Sequence, residues 1–265
     1  MSDIQNSGAY PWALTGIFAA VHLIISIIPY TISLGAEGVI SFGLISAPII
    51  GFLLGPFFGV IAIIIGTVLG IFVNPAIGIL GPFTPLAPAS AALVAGTLKI
   101  GKPEIPVLIY LVGILLFLVG PIALEAGIFL WLHIITFTIA IFIMLPKIRT
   151  IVLKGLSLDK KLKFTYLVPS FFIMAFLSVM TDQLVGSVIG AYFFIYIQLV
   201  PAEVIGPIYV SIAFIYPIER IIATILIAPI CILISRAIIA GNLTLPTTPF
   251  VEELAELDQA EVDKE

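Results

Sequence analysis

Polar side chains standing in otherwise apolar sequence are where this chain can bind or react, and they are His22, Glu37, Asn74, Thr84, Asp182, Gln183, Glu219 and Arg220. In hydrocarbon such groups are costly, so each is a functional hypothesis by default. His22 falls in the middle of an apolar run, roughly 200° around a helix from Ala20. It offers either a ligand or gating contact or an interhelical hydrogen bond. Glu37 and Asn74 fall in breaks between runs, as solvated loop positions or as a lid over a pocket. Thr84 lines a pocket or caps the helix that follows it. Asp182 and Gln183 are expected to end a span at a pocket mouth. Glu219 suits the positive end of a helix starting at Pro217. Arg220, about 100° further round, needs a carboxylate, a ligand anion or the headgroups, and Asp182 or Glu203 is its natural protein partner. Glu125 and His133 form a second, less central set, and Glu125 can simply mark a turn.

The elements that hold these residues must be membrane helices. The chain has 265 residues, 61% hydrophobic and 10% charged, with a mean hydropathy of +1.28, beyond the balance of a soluble domain. The net charge of −4 comes from the tail beyond Phe250, which holds seven acids against Lys264. Without that tail the body is mildly basic. No basic patch supports nucleic-acid binding. Cys231 stands alone in an apolar run and reads as a small buried hydrophobe. No signal peptide is expected before the first span. The sequence has no GxxxxGK[ST], HExxH, CxxC or GxSxG pattern, so neither an enzyme nor a metal or cofactor site is expected.

Read in order, the apolar runs predict an all-α, polytopic bundle of about eight spans. These are 11–30, flanked by Trp12 and Tyr30 as interface markers, then about 39–54, 56–73, 86–98, 104–123, 126–145, 164–181 and 217–240. The membrane domain covers 1–249, with 104–145 as a hairpin. The stretch 146–163, with Lys147, Arg149, Lys154, Lys160, Lys161 and Lys163, is expected as a basic loop. The tail 250–265 is expected to be disordered. Lysine and arginine place the 99–103 and 146–163 loops inside, with both termini cytoplasmic at the cell membrane. That solution requires 184–216 to lie outside or re-enter without crossing. The alternative is two further short spans.

From Gly51 to Gly96 small residues recur four apart: Gly51, Gly55 and Gly59, then Gly66 and Gly70, then Ala92 and Gly96. Such faces pack helix on helix. Between them, 74–88 carries four prolines and two glycines, and irregular backbone at this depth survives only beside protein or a water-filled cavity. This break is the first candidate for a pocket, closed by the 31–38 and 74–86 loops.

The runs LGPFFGVIAIIIGTVLG and GPFTPLAPASAALVAGTLKIGK, with IYPIERIIATILIAPICILISRAI at the end of the chain, resemble the substrate-binding S components of energy-coupling factor (ECF) transporters. The resemblance covers roughly 1–103 and 164–240. It implies a six-helix core in which 104–145 is an inserted two-helix hairpin. Gly16 and Ala20 stand where the family has an alanine-xxx-alanine contact with a coupling subunit. It further implies uptake of a vitamin-like small molecule, with a transmembrane coupling subunit and ATP-binding subunits as partners besides membrane lipid. The residues alone leave open a stand-alone secondary transporter with a proton relay through His22, Glu125 or Asp182. They also leave open a structural or assembly protein without a ligand.

Overall fold

Apolar sequence that cannot bond its backbone to water must satisfy it internally, and helices do so within one segment. A computed structural model of the protein describes residues 8–30, 40–157, 163–241 and 243. Their helices are α1 (Ala9–Ile27), α2 (Gly43–Val73), α3 (Leu86–Lys99), α4 (Glu104–Leu118), α5 (Ala123–Ala126), α6 (Trp131–Ile143), α7 (Pro146–Leu156), α8 (Phe164–Tyr192) and α9 (Ala202–Ala240). A two-residue antiparallel ladder, β1 (Pro29–Tyr30) with β2 (Ile40–Ser41), ties the end of α1 to the start of α2. Among the described residues five segments are long and apolar enough to cross a membrane: Ala9–Ile27, Gly43–Val73, Ala123–Ile143, Phe164–Ile197 and Ala202–Ala240. The protein is therefore a membrane-embedded all-α bundle. Glu37, Lys160, Lys161, the 31–38 loop and the 250–265 tail lie outside the described residues.

Glycine builds the first half of the bundle. Gly55, at φ 79° and ψ −179°, breaks α2 in a conformation that L side chains avoid. The two arms, 43–54 and 56–73, fold back on each other there. A methyl group at Gly59 would lie only 2.8 Å from Gly51 Cα, although the two residues are eight apart in sequence. α3 lies against the turn, with Gly51 on the Ala92 backbone and Gly96 on Gly55 and Pro56. The expected small-residue faces are thus helix contacts, and the expected boundary near residue 55 is a chain reversal.

The second half departs from expectation. Thr181, Asp182 and Gln183 do not end their helix. α8 runs through them to Tyr192 and continues as a π-helical turn, Phe193–Ile197. The reason is that their polar groups are satisfied by protein, so the helix has no need to reach water. Pro217 is not a first-turn residue either, since α9 contains Pro207, Pro217 and Pro229 in its interior. Proline 217 removes the bond that would satisfy Ala213 O, and Trp131 Nε1 donates to that carbonyl at 3.0 Å instead. Hence 184–216 forms the ends of two long helices rather than helices of its own. At 1.5 Å per residue, Phe164–Ile197 and α9 are about 50 and 60 Å long, well beyond about 30 Å of hydrocarbon. The basic stretch 146–163 is likewise not all loop: α7 buries Val152, Leu153 and Leu156.

The two ends of the bundle differ. At one end Trp12 packs on Phe58 at 5.3 Å beside the Gly55 turn. Lys99 Nζ donates to Leu53 O at 3.4 Å, Arg149 to Gly101 O at 2.8 Å, and Arg236 sits over the Phe164 ring at 5.3 Å. The opposite end holds the β1–β2 ladder and the 74–85 break.

Candidate functional site

A cavity of about 300 Å³ opens at this second end, between α1, α2, the 77–84 break, α3, α8 and α9. Five of the residues expected from sequence meet in its wall: His22, Thr84, Asp182, Gln183 and Arg220. By helical rise Asp182 lies about 27 Å along α8 from Phe164, and Arg220 about 30 Å along α9 from Ala240. The charged wall therefore stands about 30 Å along these helices from the basic end.

His22 is fixed by glycine and hydroxyls. Gly66 lets α1 approach α2 closely, since a methyl there would lie 2.6 Å from Ala19 O and 3.1 Å from His22 Cβ. His22 Nδ1 bonds Ser46 Oγ at 2.7 Å, and Nε2 meets Thr67 Oγ1 at 3.0 Å and Ser26 Oγ at 3.4 Å. Ser46 Oγ donates onward to Gly43 O at 3.3 Å. That assigns the ring proton to Nδ1 and leaves Nε2 as the acceptor.

The charged part of the wall comes from α8 and α9. Arg220 Nη1 donates to Asp182 Oδ2 at 3.0 Å, the two side chains being 9% and 14% exposed. Its Nη2 donates to Gln183 Oε1, and Gln183 Nε2 donates to Ser187 Oγ at 3.0 Å. Opposite charges thus neutralise each other inside the wall, and the neighbouring amide holds the guanidinium in plane. Thr84 does not cap α3, whose N-cap is Pro85 without a side-chain bond. Its Oγ1 accepts from Leu80 N at 3.1 Å and shapes the break. Leu44, Ile77, Ile79, Leu80, Ala87 and Pro88 make the remaining wall apolar. Apolar walls with a few fixed polar groups characterise small-molecule sites.

The other expected residues are elsewhere. Asn74 Oδ1 accepts from Ala76 N at 3.2 Å, an Asx turn that starts the short helix Pro75–Ile77, and it does not line the cavity. Glu219 is half-buried on a neighbouring face of α9 and also stands outside the wall. Glu125 is exposed at the α5 turn. His133 is buried in the hairpin, with its ring stacked 5.3 Å from Tyr216. Gly16 and Ala20 lie on the outer face of α1, and nothing stands within 4 Å of a methyl placed at Gly16. Sequence reading missed Ser26, Thr67 and Ser187. Ser26 and Ser187 each stand four residues after a chosen residue, His22 and Gln183, so helical periodicity alone points to them.

No family model matches the chain, and no solved structure matches it. An uncharacterized protein of Methanocaldococcus jannaschii is similar, 32% identical over 176 residues, which are 66% of this chain and 54% of that protein. The chain spans about half the length of this relative.

Proposed function

We propose that the protein is a membrane-embedded substrate-binding subunit for ATP-driven uptake of a vitamin-like small molecule, of the ECF S-component type. The observation that carries this reading is the cavity: five polar residues from separate parts of the chain converge on one apolar-walled pocket at the end opposite the basic loops. In the proposed arrangement that end faces outward, both termini are cytoplasmic, and eight spans divide into a six-helix core plus the 104–145 hairpin. The free small-residue surface at Gly16 and Ala20 is where a transmembrane coupling subunit docks. ATP-binding subunits complete the transporter.

A small-residue surface that docks a partner is destroyed by bulk, whereas the pocket lies on the other face of α1. Gly16→Leu is therefore expected to abolish uptake in a reconstituted complex while leaving ligand binding by the isolated subunit unchanged. Retained uptake by that variant refutes the docking assignment. A stand-alone proton-coupled transporter instead predicts uptake driven by a proton gradient without ATP, and a purely structural protein predicts no saturable ligand.

A further inference from the structure

The pocket's own chemistry selects among small molecules, and the inference that follows rests on the ligand-binding reading above. Its charged wall residues, Asp182 and Arg220, are bonded to each other at 3.0 Å. His22 is bonded to the hydroxyls of Ser46, Thr67 and Ser26. Among the described residues the wall thus carries no net charge. A charged ligand would either separate the Asp182–Arg220 pair, leaving one partner buried and uncompensated, or bring its own unpaired charge into the site, and both are strongly unfavourable. A net-neutral ligand avoids both.

The unused hydrogen-bonding positions define the polar edge. Among the described residues Asp182 Oδ1 accepts no bond, its partner oxygen being the one on Arg220. Thr84 Oγ1 accepts from Leu80 N, and Ser187 Oγ accepts from Gln183 Nε2, so the hydrogen of each hydroxyl is left to donate. Among the described residues the wall therefore offers a strong acceptor in Asp182 Oδ1 and two hydroxyl donors, beside Arg220 Nε, which is buried without a hydrogen-bond partner. Among the described residues no phenylalanine, tyrosine or tryptophan lines it, so these offer no face on which an extended aromatic system would stack. Leu44, Ile77, Ile79 and Leu80 instead present aliphatic surface. At about 300 Å³ the cavity stands at the lower end of small-molecule sites.

We infer that the pocket takes a small net-neutral molecule carrying an N–H donor beside a carbonyl acceptor, an amide, lactam or ureide on an aliphatic or alicyclic body. The N–H donates to Asp182 Oδ1, and the carbonyl accepts from Thr84 and Ser187.

Three isosteric probes test the class: cyclohexanecarboxamide, cyclohexanecarboxylate and cyclohexanecarboxamidinium, titrated against the full chain in nanodiscs by saturation-transfer NMR. The carboxamide is expected to bind saturably and at least about 10-fold tighter than either ion. Thr84→Val and Ser187→Ala, each removing one donor, are expected to weaken it about 5-fold. Asp182→Asn gives the wall a net positive charge and is expected to turn the preference toward the carboxylate. If an ion binds the wild type at least as tightly as the carboxamide and loses affinity in Thr84→Val, the ligand class is wrong while the pocket reading stands. If no probe binds saturably, the pocket reading fails and the inference with it.

Discussion

Replacing Arg220 by methionine keeps most of the side-chain volume and removes the charge, leaving Asp182 in a site where its side chain is only 14% exposed. An uncompensated buried charge of this kind costs about 3–5 kcal/mol, a large share of the roughly 5–15 kcal/mol that stabilises a typical domain. Asp182→Leu strands Arg220 in the same way and is expected to cost a similar amount. The double variant removes both charges, and exchange of a whole buried pair for apolar groups is close to neutral or stabilising. It should therefore be no less stable than either single variant, which makes the coupling energy about 3 kcal/mol or more. Gln183 moderates the effect in the Asp182 variant, because its Oε1 still accepts from Arg220 Nη2. SDS-induced unfolding in mixed micelles, followed by the fluorescence of Trp12 and Trp131, measures all four corners of the cycle. Strictly additive losses would refute the reasoning, since they mean the two groups do not compensate each other.

Other consequences follow from single contacts. Gly96→Val forces a branched side chain onto the backbone of Gly55 and Pro56, where neither chain can yield, and is expected to lower stability by about 1–3 kcal/mol or more in the same unfolding assay. Trp131→Phe keeps an aromatic ring but leaves Ala213 O without its donor at Pro217, an expected loss of about 1–3 kcal/mol; the loss should be smaller in a Pro217→Ala background, where the helix bond is restored. Asn74→Ala removes an Asx turn outside the cavity and is expected to leave binding of the carboxamide probe within about 2-fold of wild type, against a drop of about 5-fold for Thr84→Val.

The sequence made some of this legible for definite physical reasons. Small residues four apart expose backbone wherever a helix forms, so Gly51, Gly59, Ala92 and Gly96 could be read as contacts before their partners were known. Polar groups at membrane depth are rare enough that His22, Asp182, Gln183 and Arg220 stood out, and charge alone narrowed the partner of Arg220 to Asp182 or Glu203. What failed were rules carried over from water. Asp182 and Gln183 seemed to need solvent because the residue satisfying them, Arg220, is 38 and 37 positions away. Pro217 resembled a helix start because the donor that excuses it inside α9 is Trp131, on another helix. Asn74 was drawn into the pocket by its neighbourhood in sequence, whereas its amide oxygen is used two residues away.

The central claim is that the cavity holds a small molecule, and native mass spectrometry of the full chain is its most direct test. The protein would be purified in mild detergent after incubation with a low-molecular-weight cell extract, alongside Arg220→Met/Asp182→Leu, whose fold is expected to survive. A small-molecule adduct on the wild type that the double variant lacks is the expected result. Bare protein in both, or an identical adduct on both, would contradict the account.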